Sequence, residues 1–168
     1  MSMTHYMELL ATNQPWNLIL FMAIPVVLAE TVAITELFIL FTRAFNGTLR
    51  LVNRLASIVG GAYFCGVFIW LMWTAVIPLT TGAGWRGPAD VIAVGFYLSG
   101  IVPLGGLALL DLGLIGKKRN EEGKLKLHAC FVAIFLVVAH IAMIFGMLDP
   151  AVLGAGQPMD AAMPGMHH

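Results

Sequence analysis

Charged residues are scarce in this chain. Only 11% of its 168 residues are Asp, Glu, Lys or Arg, whereas 60% are apolar. A soluble domain of this size has no use for so much apolar surface, so the composition indicates an integral membrane protein whose main partner is the lipid bilayer. The formal net charge is zero, which gives no reason to expect a nucleic-acid partner.

Cysteine is also rare, and familiar catalytic motifs are missing. The two cysteines, Cys65 and Cys130, lie within apolar runs, which argues against a disulfide framework. There is no phosphate-binding glycine loop, no H-E-x-x-H, no nucleophile elbow and no C-x-x-C-H, so we predict neither an enzyme nor covalently attached haem. The N-terminus lacks the basic region of a signal peptide, and we expect no processing.

Long apolar stretches dominate the rest of the sequence. Each exceeds the ~20 residues that a helix needs to cross a bilayer, which predicts an all-α bundle of transmembrane helices. The four predicted helices are approximately Trp16–Thr42, Leu55–Leu79, Ala89–Gly116 and Leu127–Leu148. We expect a kink at Pro25 and a bend near Pro103, because proline interrupts helical hydrogen bonding.

The ends of the chain differ from this central region. Residues 1–15 form an N-terminal segment in which Thr4–Thr12 is amphipathic, so we predict a short helix at the membrane surface. We predict a four-helix membrane domain at residues 16–149 and a flexible tail at residues 150–168, which are rich in Met and His.

The basic residues predict the orientation. Eight of the nine Lys and Arg residues lie in or beside the first and third links between helices, and only Arg86 lies in the second. By the positive-inside rule both termini lie outside. We therefore expect a multi-pass protein of the bacterial inner membrane with a periplasmic N-terminus and C-terminus.

Ionisable side chains inside the apolar stretches are the candidate functional residues, because a charge at the bilayer centre costs about 2.5–3.5 kcal/mol on insertion scales. At ~1.5 Å of rise per residue, Glu30 on the first helix and His140 on the fourth fall near the midplane, level with Cys65 on the second. Glu36 and Asp111 fall on a second level nearer the cytoplasm, with His128 just below them.

These two levels suggest a protein that handles a small cation, either a proton or a transition-metal ion. A proton or ion path would use Glu30, Glu36, His140, Asp111 and His128. Nearby hydroxyl groups that would extend this path are those of Thr31, Thr35 and Ser99. The structural alternative for the Glu30–His140 pair is a hydrogen bond that merely joins helices 1 and 4.

A metal site would draw on softer ligands. Imidazole, thiolate and thioether groups suit copper or zinc, and a carboxylate completes such a set. The candidate ligands are Glu30, His140, Cys65 and Met143 in the membrane, and His167 and His168 in the tail, where Met159, Met163 and Met166 lie nearby.

Two further functions stay open. A haem b would need a second axial ligand opposite His140, such as Met22 or Met72, and a quinone site would lie near Trp70, Trp73 and His140. Either would make the chain a cofactor-binding subunit of a respiratory complex. The alternative is a structural or assembly subunit in which the acids hold the helices together.

Two segments carry a resemblance. IPVVLAETVAITELFILFTR and IPLTTG–WRGPADVIAVGFYL resemble small four-span bacterial inner-membrane proteins of uncharacterised families, some of which are labelled permease. The resemblance implies a membrane protein involved in transport, and it implies no catalytic residue or substrate. Because four helices rarely enclose a complete transport path, we expect a homo-oligomer or a subunit of a larger membrane complex.

Overall fold

A computed structural model describes residues 3–43, 45–82 and 84–149. Within these residues, four helices are long and apolar enough to cross a membrane. They are Trp16–Thr42 (span 1), Thr48–Thr81 (span 2), Pro88–Asp111 (span 3) and Glu121–Met147 (span 4). The predicted all-α architecture with four candidate spans is confirmed.

The spans pack in the cyclic order 1-2-3-4. Span 2 lies between spans 1 and 3, and span 4 packs along span 3 and contacts span 1. The shared core is apolar and includes Phe64, Leu104 and Leu107, each no more than 1% exposed. Large apolar side chains such as Phe41 and Val102 face outward, as a helix surrounded by lipid requires.

A glycine allows spans 2 and 3 to approach closely. A Cβ atom on Gly61 would lie 2.5 Å from the Cβ of Ala108 and 2.7 Å from the carbonyl oxygen of Leu104. Gly66, one turn further along the same helix, faces open space. Small residues at a helix contact are the usual way in which membrane helices gain packing energy, because lipid supplies no hydrophobic force between them.

Three of the described spans contain an internal proline. In spans 1 and 2 a π-helical turn comes just before that proline. Span 1 contains a π-helical turn at Ile19–Ala23 between the α-helices Trp16–Leu18 and Ile24–Thr42. Span 2 contains one at Met72–Val76 between Thr48–Leu71 and Ile77–Thr81. Each turn ends just before a proline, Pro25 or Pro78. The interruption expected at Pro25 is therefore a π-helical turn.

Proline has no backbone N–H, so the carbonyl four residues before it lacks its helical partner. For Pro25 that carbonyl belongs to Phe21, and the hydroxyl of Tyr97 on span 3 donates to it at 2.5 Å. The neighbouring carbonyl of Leu20 accepts from the hydroxyl of Tyr63 at 2.9 Å. Two tyrosines thus satisfy backbone groups that lipid could not.

Span 3 is also interrupted, and three predicted helix ends are wrong. Its α-helices are Pro88–Ser99 and Ile101–Asp111, which meet at Gly100, three residues before Pro103. Span 2 begins at Thr48 instead of Leu55, span 4 begins at Glu121 instead of Leu127, and span 3 ends at Asp111 instead of Gly116. Hydropathy marks where the apolar region ends, whereas capping decides where a helix ends. Asn120, for example, caps span 4 by accepting from Gly123 N at 2.9 Å.

The N-terminal segment contains a short helix, His5–Ala11, within the predicted Thr4–Thr12. Its residues Tyr6 and Leu10 are buried against the bundle. The hydroxyl of Thr4 donates to the carbonyl of Gly146 at the end of span 4, at 2.6 Å. The location of this helix at a membrane surface stays a prediction.

The close contact of spans 2 and 3 gives a stability prediction. Gly61→Ala should lower the free energy of unfolding by about 1–3 kcal/mol, because the new methyl group overlaps span 3. Gly66→Ala is the matched control and should be neutral or stabilising by up to ~1 kcal/mol, because alanine favours the helix and meets nothing. Unfolding of both variants in the same detergent measures the difference. Equal stability of the two would contradict the predicted packing.

Candidate functional site

At the end of the bundle near the first and third links, one side chain from each span meets the others. We call Glu36, Arg50, Asp111 and His128 the charge cluster. His128 Nδ1 lies 2.8 Å from Glu36 Oε2, and His128 Nε2 lies 2.9 Å from Asp111 Oδ2. Arg50 Nη2 donates to the other oxygen of Asp111, Oδ1, at 3.2 Å. The imidazole therefore connects spans 1, 3 and 4, and the guanidinium adds span 2.

A buried amide holds the arginine in place. Asn53 Oδ1 accepts from Arg50 Nη1 at 2.9 Å, one helical turn away on span 2. Its Nδ2 donates to the carbonyl of Val32 at 3.1 Å and to Thr35 Oγ1 at 2.9 Å, both on span 1. Asn53 is fully buried. Its side chain thus fixes the position of Arg50 relative to span 1.

The geometry sets the number of protons in the cluster. A carboxylate only accepts, so each of the two bonds to the His128 ring needs one proton on either the nitrogen or the oxygen. With two such protons, the imidazole and its two carboxylates carry a net charge of −1, which Arg50 neutralises. Removal of one proton leaves a buried net charge of −1 and breaks a hydrogen bond.

Because the cluster is buried, an uncompensated net charge on it would be costly. The side chains of Glu36, Asp111 and His128 are at most 4% exposed, whereas that of Arg50 is 24% exposed. The second oxygen of Glu36, Oε1, is buried and has no hydrogen-bond partner among the described residues. A further proton could therefore bind to Glu36 Oε1 without displacing a donor that is already bonded there.

Glu30 and His140 lie elsewhere, as exposed residues of a cleft that is lined by the N-terminal helix and all four spans. The cleft has a volume of about 160 Å³, and its polar lining includes both residues. No hydrogen bond joins them. His140 Nδ1 instead donates to the carbonyl of Leu136, one turn back on its own helix, at 2.6 Å. The hypothesis of a Glu30–His140 bond that joins helices 1 and 4 is therefore wrong.

The proposed metal ligands are only partly brought together. Met143 lines the cleft with Glu30 and His140, but Cys65 is exposed and lies outside the cleft lining. Among the residues that the structure describes, no group of three or more His, Cys, Asp and Glu could hold a metal ion. His167 and His168, with the tail methionines, lie outside the described residues.

The structure also shows where the residues considered for haem, quinone and proton-path roles lie. Met22 lines the cleft, whereas Met72, Trp70 and Trp73 do not. The hydroxyls expected to extend a proton path turn back onto their own helices. Thr31 donates to Val27, Thr35 to Thr31 and Ser99 to Phe96, each at 2.6–2.7 Å. These groups therefore form no continuous hydrogen-bonded chain between the cleft and the charge cluster.

A second polar group, which the sequence pattern did not predict, lies at the opposite end of the bundle. The buried carboxylate of Asp90 accepts from His5 N at 2.6 Å and contacts His5 Nδ1 at 2.5 Å. Arg86 N donates to the same carboxylate at 3.3 Å, and the Arg86 guanidinium pairs with Glu8. This group attaches the N-terminal helix to the start of span 3.

Arg50 and Asn53 were not predicted as site residues, because the predicted first link contained both. One signal was available in the sequence. Residues three apart lie on the same face of a helix, so Arg50 and Asn53 would have suggested a polar face on a longer span 2.

The fold and the site together define a class: a four-span, all-helical membrane protein with a buried cluster of ionisable side chains. Within that class the chain belongs to a family of unknown function, DUF6803, which matches residues 1–162. Comparison with curated proteins and with solved structures gave no match.

The charge cluster predicts a large effect of removing its imidazole. His128→Leu leaves Glu36 and Asp111 buried without this partner, and it should lower the free energy of unfolding by about 3–5 kcal/mol. His140→Leu is the matched control, since that ring is exposed and bonds within its own helix, and it should change stability by only about ±0.5 kcal/mol. Thermal unfolding in detergent measures both. Similar losses for the two variants would show that the cluster does not hold the bundle together.

Proposed function

We propose that this chain is a permease-like membrane protein that handles a small cation, and that the cation is a proton bound at the charge cluster. The observation that supports this most directly is the placement of His128 between two carboxylates, with a single arginine to balance them. Gain or loss of one proton changes the net charge of the cluster. Intramembrane carboxylate and imidazole groups of this kind commonly serve as proton relays.

A proton fits the cluster better than a metal ion does. Both ring nitrogens of His128 already face carboxylate oxygens at hydrogen-bond distance. A metal ion would need at least one of those lone pairs and would have to separate partners that satisfy each other. A proton needs only an oxygen lone pair, and Glu36 Oε1, which has no hydrogen-bond partner in the part of the chain that the structure describes, offers one.

Glu30 and His140 would form a second proton-binding site. Glu30 lies six residues before Glu36 on the same helix, which is about 9 Å along its axis. The threonine hydroxyls between them bond to their own backbone. We therefore propose that proton transfer between this site and the charge cluster requires a carboxyl side chain to change its rotamer. That motion would then control the rate of transfer.

The haem hypothesis receives less support. His140 and Met22 both line the cleft, but its volume of about 160 Å³ is below that of typical pockets for drug-sized ligands, ~300–1,000 Å³. A porphyrin is larger than such ligands.

Assembly into a homo-oligomer or a larger complex remains part of the proposal, because four spans enclose little space.

A flux measurement tests the proposal. Purified protein in liposomes should acidify an internal pH-sensitive dye when a potassium diffusion potential drives protons inward. Glu36→Gln keeps the shape of the side chain but removes its ionisable group, and it should slow proton entry by at least about tenfold, equivalent to ~1.4 kcal/mol on the barrier.

Glu122→Gln serves as the control, because Glu122 pairs with Lys126 at the exposed start of span 4. Its flux should equal that of the unmodified protein. If the folded Glu36→Gln variant conducted equally well, the charge cluster would not be the proton-binding site.

We also propose that the charge-cluster end faces the cytoplasm, with both termini in the periplasm of a bacterial inner membrane, because this end carries eight of the nine basic residues. In a Cys65→Ala, Cys130→Ala background, Gly84→Cys should react with a membrane-impermeant maleimide in intact spheroplasts. Lys118→Cys should react only after lysis. The reverse pattern of labelling would invert the orientation.

A further inference from the structure

The cleft presents hydrogen-bond acceptors to whatever enters it. His140 Nδ1 lies 2.6 Å from the carbonyl oxygen of Leu136, so this nitrogen carries the proton. In the neutral ring, Nε2 is then an acceptor. Glu30 contributes a carboxylate that has no hydrogen bond or ion pair within the described part of the chain.

Two tyrosine hydroxyls lie at the cleft, and neither of them adds a charge. Tyr97 donates its proton to the carbonyl of Phe21 at 2.5 Å, so that donor is already used. Burial raises the pKa of Tyr6 to about 12, so its hydroxyl stays neutral near pH 7 and adds no charge. Among the described residues that line the cleft, Glu30 is therefore the one carboxylic acid.

The remaining walls are apolar and aromatic. Four rings form a contiguous series, with centroid separations of 5.3 Å for Tyr6–Tyr97, 5.4 Å for Tyr97–Phe64 and 6.2 Å for Phe64–Phe135. All four line the cleft, whose volume is about 160 Å³. An engineered apolar cavity of ~150 Å³ accommodates benzene, so the space suits a molecule with one ring or a similar aliphatic body.

We infer that this cleft is a binding site for a small organic cation, an ammonium group attached to a ring-sized apolar body. The ammonium group would neutralise Glu30, which has no polar partner within the described part of the chain. A primary ammonium would also donate to His140 Nε2. The aromatic walls would contact the apolar body and stabilise the positive charge, as aromatic rings do for ammonium ligands. This site goes beyond proton binding at the charge cluster and does not depend on it.

The test compares a cation with its neutral isostere. Benzyltrimethylammonium and neopentylbenzene have the same shape and differ in charge. Titration calorimetry on the full chain in detergent should show the cation binding at least about tenfold more tightly. Glu30→Gln should remove that preference, whereas Glu122→Gln, which changes an exposed carboxylate outside the cleft, should keep it.

A second pair of probes tests the role of His140. Benzylammonium can donate a hydrogen bond and benzyltrimethylammonium cannot. His140→Phe should weaken binding of benzylammonium by about tenfold and leave that of benzyltrimethylammonium nearly unchanged. Equal weakening of both would show that His140 acts only by shaping the cleft, and would overturn its assigned role.

Three results would overturn the inference as a whole. One is equal affinity for neopentylbenzene, which would describe an unselective apolar cleft open to lipid. Another is tighter binding of the neutral donor hydroquinone than of benzylammonium, which would indicate a quinol site. The third is the absence of binding by every probe to a protein that still unfolds cooperatively. Because these titrations use no proton gradient, their outcome is separate from that of the flux measurement.

Discussion

The structure depends on one imidazole that contacts two carboxylates. His128 joins Glu36 and Asp111, and Arg50 completes the set, so every span contributes a polar group to the same buried point. In lipid, apolar side chains gain nothing by leaving the solvent, and association relies on close packing and on polar contacts. The charge cluster supplies the polar contacts, and the contact at Gly61 supplies the packing between spans 2 and 3.

The two ends of the bundle are closed differently, and this leaves space between them. Spans 1 and 4 meet where Glu36 contacts His128. Further along, around Glu30 and His140, the cleft lies between them. At the far end the N-terminal helix is attached through His5 and Asp90. The same chain thus provides a buried, hydrogen-bonded cluster and, separately, an open cleft whose acid has no polar partner among the described residues. Their different surroundings support assigning the cleft a further ligand besides the proton.

Depth reasoning predicted part of the candidate site. Counting residues along each helix placed Glu36, Asp111 and His128 near one level, and the structure brings these three into contact. The same count placed Cys65 level with Glu30, yet Cys65 faces away from the cleft. Position along a helix gives height, but rotation about the axis depends on packing. Arg50 was missed for another reason, because hydropathy cannot show that a helix continues beyond the apolar region.

The sequence by itself determined the number of candidate spans and the spacing of the ionisable groups along each of them, because bilayer thickness and helical rise convert residue counts directly into distance. Only the tertiary structure decided which of these groups meet. That choice depends on how far each helix is rotated and on local events such as the π-helical turn before Pro25 and the break at Gly100. A hydrogen bond between Tyr97 and Phe21, 76 residues apart, is set by packing across the bundle, and no local pattern encodes it.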